Sequence, residues 1–234
     1  MIRRPTRGPA IAPRLTRRRA AARRRALRWF LGLIVVTGLA ACVPKAASLV
    51  GAPAAPMRIP RAELVRMPQL VAFTWSYEDP DIRAQGEGAA RVTWPDSARL
   101  DLFLSGGLGG GMAVIIGDSL VNPPGGGLLK RFLPPVAMFW ASLGRLAVPG
   151  GDTAVRVDGA TTRADIARGG RIMRVTFEGE RLTSLEHIVD GGILERVTRG
   201  ADRTEYVQNA SRRRLTLVIS RTTNVPAFDS AIWH

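Results

Sequence analysis

Val71-Ala72-Phe73-Thr74-Trp75-Ser76-Tyr77 alternates large apolar or aromatic side chains with small or polar ones. A period of two marks a strand with one buried face. The pattern continues outward. Residues 82–94 follow it weakly, with Gly86 and Gly88 permitting a bend or bulge. Pro95-Asp96 reads as a turn, and Leu100, Leu102 and Leu104 resume the alternation. The glycines between 106 and 111 predict a flexible loop, Met112–Gly117 an apolar strand, and Gly117-Asp118 another turn.

Beyond Asn122-Pro-Pro-Gly-Gly-Gly127 the spacing becomes helical. Val136, Phe139, Trp140 and Leu143 fall at i, i+3, i+4 and i+7, which predicts a helix over 134–147 ended by Pro149-Gly150-Gly151. Seven strands are predicted after it, at 153–158, 161–167, 171–178, 182–189, 193–199, 203–208 and 213–221. Gly169-Gly170, Gly179 and Gly191-Gly192 punctuate them. Tight turns between consecutive strands mean antiparallel pairing. The expected fold is mainly β (α+β): a half-open antiparallel β-barrel, with the helix as a lid on its concave side.

Upstream, the chain has three zones. Residues 1–28 are arginine-rich, residues 29–41 (WFLGLIVVTGLAA) are an apolar run, and Cys42 follows. This is the layout of a secretory signal. Thirteen helical residues reach about 20 Å, short of the ~30 Å hydrocarbon core, so a cleaved leader is expected rather than a membrane anchor. Arg24-Arg25-Ala26-Leu27 is a loose twin-arginine pattern, which leaves the export route open. Leu39-Ala40-Ala41-Cys42 resembles the bacterial lipobox, which implies acylation of Cys42 and cleavage before it. Several acyl chains hold a membrane where one binds only marginally. Val43 stands where an inner-membrane retention signal carries Asp, which favours the outer membrane. Residues 42–60, rich in Ala and Pro, read as a lipidated tether, with a short helix expected at 60–67 and one domain over 61–234.

The 234 residues carry 34 Lys and Arg against 19 Asp and Glu, a net charge of +15. Residues 1–41 contribute 11 arginines and no acid, so 23 basic residues face 19 acidic ones thereafter, a net of +4. The excess belongs to the leader, and nucleic acid is not an expected partner. With one cysteine, a disulfide framework is excluded.

Catalytic and metal chemistry find little support. His187 and His234 are the only histidines, and His187 reads as an inward, hydrogen-bonded sheet residue. GxSxG and GxxxxGK[ST] are absent. Glu178 and Glu180 flank Gly179 and fit a turn better than an acid–base pair. Arg212-Arg213-Arg214 reads as a solvated edge or a weak contact to anionic lipid. The chain is therefore expected to act as a non-enzymatic monomer without a cofactor.

VAFTWSYED at 71–79, GEGAARVTWPDSARLDLFL at 86–104, the IIGD hairpin at 115–118, FWASLGRL at 139–146 and RRLTLVISRTTNVPAFDSAIW at 213–233 resemble LolA/LolB-like outer-membrane lipoprotein carriers and receptors. The resemblance implies an apolar cavity under a helical lid that binds lipid or lipoprotein acyl chains. Burying a 16-carbon chain contributes on the order of 10 kcal/mol before losses. Phe73 and Trp75 on one strand face, with Phe139 and Trp140 on the helix face, are the expected lipid-binding lining. Arg83 and Arg91 are candidates for the basic residue that gates acyl release in the soluble carrier. The lipid-anchored receptor carries an exposed apolar loop residue, and Leu108, alone in Ser105-Gly-Gly-Leu-Gly-Gly-Gly111, matches it as a membrane contact. The alternative is a scaffolding envelope lipoprotein whose concave face is simply packed.

Overall fold

The computed structural model describes residues 43–107, 109–121 and 131–233. Cys42, the leader and Leu108 lie outside them. Among the described residues thirteen strands form one sheet, in the order β1-β7-β8-β9-β10-β11-β12-β13-β2-β3-β4-β5-β6. The alternating stretch becomes β2 (Gln69–Glu78), followed by β3 (Arg83–Thr93), β4 (Ser97–Leu104), β5 (Gly110–Ile116) and β6 (Ser119–Val121). The downstream strands are β7 (Asp152–Asp158), β8 (Thr161–Arg168), β9 (Arg171–Glu178), β10 (Arg181–Val189), β11 (Gly192–Arg199), β12 (Arg203–Gln208) and β13 (Arg213–Asn224). Every pairing is antiparallel, and β13 closes onto β2 to join the two meanders. β1 (Ala52–Ala54), paired with β7, and β6 are the two edges, so the sheet is not closed.

One face is built by large-to-small complementarity. Phe73 stands opposite Gly88, Gly88 opposite Leu102, and Leu102 opposite Gly111. The next row runs Val71, Ala90, Leu100, Ala113. A Cβ at Gly88 would lie 2.4 Å from the Phe73 ring, so the glycine is the space into which the ring packs.

The opposite face is charged. Asp165, Arg174, Glu186 and Arg196 are consecutive cross-strand neighbours from β8 to β11. Arg174 Nε donates to Asp165 Oδ1 at 2.7 Å, and Arg196 lies 2.8 Å from Glu186. Such alternation stabilises neighbouring strands and keeps this face in water.

The predicted helix forms as α1 (Val136–Ser142), shorter than 134–147. Pro135 precedes its first turn, and Gly144, at φ +92°, ends it. The helix packs against β10, β11 and β12. Its Trp140 Nε1 also donates to the carbonyl of Gly117, at the end of β5, at 2.7 Å. β5 stands six strands from β11, about 29 Å away in a flat sheet. The sheet must therefore curl around α1, as a half-open barrel with a helix on its concave face.

Four expectations change. No helix forms at 60–67, which is irregular, with a bend at Arg66-Met67. There Leu64 is buried in the core and the Ala62 carbonyl accepts from Leu146 N at 2.9 Å. The segment read as a tether is partly bound to the sheet. Ala52–Ala54 pairs with β7, Lys45 bridges to Gly192, and a 3₁₀ turn occupies Pro56–Arg58. Gly110 and Gly111 are not loop but the start of β5, opposite Phe103 and Leu102. The turn at Gly117-Asp118 leads into β6, which the sequence pattern did not mark.

Candidate functional site

The concave face and α1 enclose an apolar interior. Phe73 from β2 and Phe139 from α1 meet there across a gap of about 30 Å³, which Leu100, Leu102, Leu143 and Leu217 also line. Both phenyl groups are buried. The gap is about the size of one water molecule and far below the ~300–1,000 Å³ of ordinary ligand sites. As it stands, this gap is too small for an acyl chain.

Of the four aromatic residues read as a lining, only these two share the gap. Trp75 lies against Phe132, with ring centroids 5.8 Å apart, and its Nε1 donates to the Glu87 carbonyl at 3.0 Å. Trp140 is wholly buried, edge-on to Phe139 at 5.5 Å, with the Arg145 guanidinium 4.9 Å above its ring. Both indoles use their polar atom to fasten packed structure. Arg83 pairs with Glu78 at the exposed end of the β2–β3 hairpin. Arg91 pairs with Asp101, as does Arg99, whose Nη1 also holds the Ile232 carbonyl at 3.2 Å. Neither Arg83 nor Arg91 lines the gap between Phe73 and Phe139.

A larger opening lies beside the gap. A groove of about 570 Å³ separates the first turn of α1 from β8–β11. Pro135, Ala137 and Met138 form one wall, and Ile166 and Met173 line the other. Arg168, Arg171, His187 and Glu195 supply its polar lining. His187 stands directly across from Glu195 and lines this groove, as its inward register required. Among the described residues its imidazole has no hydrogen-bond partner, where a bonded sheet residue was expected. The sequence reading missed the groove because its walls come from distant elements.

A polar cluster fastens the chain just before α1. Tyr77 donates to Asp79 Oδ2 at 2.7 Å, and Arg131 Nε donates to the same oxygen at 3.0 Å. The amides of Asp81 and Ile82 donate to Oδ1 at 2.9 and 2.8 Å. Arg213 joins through the Tyr77 hydroxyl and the Arg131 carbonyl. Phe132 then lies 4.7 Å from the Tyr77 ring. The Tyr77 hydrogen bond, with the two amides and Arg131, holds the Asp79 carboxyl well below the ordinary carboxylate range, against the opposing effect of burial.

The sign follows from linkage. A carboxyl with a depressed folded pKa stabilises the fold fully above its unfolded value, about 4, and loses that contribution as pH falls below it. Asp79→Asn should therefore be less stable than the parent at pH 7, and the difference should shrink on acidification. Urea midpoints measured from pH 7 down to about pH 3 check this. A difference that stays constant with pH contradicts the assignment.

Among the described residues no helix is long and apolar enough to cross a membrane, and no cluster of three or more His, Cys, Asp or Glu could hold a metal ion. No family model and no curated protein sequence matches the chain. Solved structures do. A domain described as outer membrane lipoprotein-sorting, from Vibrio parahaemolyticus, aligns over 73% of this chain and 91% of its own, at 9% identity and a TM-score of 0.50. A LolA superfamily protein from Nitrosomonas europaea aligns over 74% and 92%, at 11% identity and a TM-score of 0.48. A DUF1329 family protein from Desulfovibrio piger aligns over 73% and 90%, at 8% identity and a TM-score of 0.41. The structural neighbours of this chain thus include LolA-superfamily and lipoprotein-sorting domains, and with the Vibrio domain it shares the fold.

Proposed function

We propose that this protein is an envelope lipoprotein, anchored in the outer membrane through acylated Cys42, that takes the acyl chain of a lipid or lipoprotein between α1 and the sheet. The observation that carries this reading is the unclosed sheet with the short helix α1 on its apolar concave face and an apolar groove open at the helix edge. The lipoprotein-sorting description of the Vibrio neighbour supports the same class of cargo. In this account Phe73 and Phe139 contact the chain once α1 moves, and Leu108 meets the membrane during delivery. The reading needs no catalytic residue. A scaffolding role is the second reading, favoured by the close packing around Phe73 and Phe139, where only about 30 Å³ is open.

Titration with a fluorophore-labelled 16-carbon fatty acid, beside the same fluorophore on a 4-carbon chain, separates the two. Each buried methylene adds up to ~0.8 kcal/mol. Carrier function predicts saturable one-to-one binding of the long chain and none of the short one at the same concentrations. Indifference to chain length, or no binding, contradicts it and leaves the scaffold.

A further inference from the structure

Arg168 and Arg171 close the β8–β9 hairpin and stand directly opposite each other across Gly169-Gly170. Both glycines have positive φ, +57° and +76°, the conformation of a tight two-residue turn. Alternation places Arg168 on the face of Ile166 and Arg171 on the face of Met173, so both arginines border the groove whose floor those residues form. Like charges directly opposite in an antiparallel pair repel. Among the described residues neither arginine has an acidic partner within ion-pair distance. The one carboxylate in the groove, Glu195, accepts from Gln208 Nε2 at 3.0 Å. A second opposed pair, Arg156 and Arg163, lies on the charged face with Asp165 and lines neither the groove nor the gap. What sets Arg168 and Arg171 apart is their position at the mouth of an apolar groove.

Resting on the acyl-chain reading above, we propose that the groove selects an anionic phospholipid with a single acyl chain. The chain lies along Met138, Ile166 and Met173, and the phosphate sits between the guanidiniums of Arg168 and Arg171. Guanidinium binds phosphate oxygens in a bidentate fork, and two of them match one phosphate head. The groove, about 570 Å³, has the size of a single-ligand site.

The test uses the purified full-length protein and two probes with the same tail, 1-palmitoyl lysophosphatidylglycerol and 1-palmitoyl lysophosphatidylcholine, both below their micelle concentrations. The parent protein should bind the anionic probe about tenfold more tightly at low salt, and added salt should narrow the gap. The double variant Arg168→Gln/Arg171→Gln should lose that preference, because the anionic probe weakens about tenfold more than the zwitterionic one, whose phosphate charge is already offset by choline. Both positions are exposed beside a turn, so its thermal midpoint should match the parent's. Equal affinities in the parent, or a preference that survives the double substitution, overturn the head-group assignment alone. Failure of both probes to bind overturns it together with the acyl-chain reading.

Discussion

Trp140→Ala should lower the unfolding free energy by about 4 kcal/mol, within the range for removing a large aromatic side chain from a packed core. Trp140 is wholly buried, and it joins α1 to the far half of the sheet through its hydrogen bond to Gly117. Its loss leaves a void beside Phe139, an unpartnered carbonyl on Gly117 and no ring beneath Arg145. Urea denaturation followed by far-ultraviolet circular dichroism measures the effect. A loss below about 1 kcal/mol would mean that α1 is not seated against the curled sheet, since surface substitutions fall in that range.

Gly86→Ala should cost about 3 kcal/mol or more, at or beyond the upper end for overpacking. An added Cβ would lie 1.8 Å from the Phe103 carbonyl oxygen and 3.2 Å from the Leu104 Cα. Both atoms are backbone of β4, so no side-chain rotation relieves the clash. β3 and β4 must separate, and the face bearing Leu102 goes with them. Gly150→Ala is the control, because a Cβ there meets nothing within 4 Å. Its stability should stay within about 0.5 kcal/mol of the parent. Equal effects at the two glycines would contradict the β3–β4 register.

Much of this fold is legible in period and punctuation. β9 (Arg171–Glu178) and β12 (Arg203–Gln208) begin and end where the alternation and its flanking turns place them. Short or isolated pairings were hidden. β6 has three residues, too few to show a period, and β1 contains Pro53, which only an edge strand tolerates. The segment 60–67 has the composition of a helix start. Its Ala62 carbonyl is instead taken by Leu146, more than eighty residues away, a partner that no local pattern reveals.

The site divides along the same line. That Phe73 and Phe139 occupy buried faces follows from spacing, and both line the same small gap. Where each indole points does not follow from spacing. Trp75 is fixed by the Glu87 carbonyl across the hairpin and Trp140 by Gly117, so both turn from the gap toward backbone partners. The opposed arginines were within reach of the sequence. Once Gly169-Gly170 is a two-residue turn, Arg168 and Arg171 must face each other. The apolar floor beneath them was not, because Met138 comes from the helix and Ile166 from β8.

Under the proposed function an acyl chain occupies the space between helix and sheet. Native mass spectrometry of the protein, extracted from its own membrane under mild conditions, tests it most directly. The expected result is a population carrying one additional, non-covalently bound acyl-chain molecule, released on collisional activation and distinct from any covalent anchor. Only the unliganded mass, across a range of mild detergents, would contradict it.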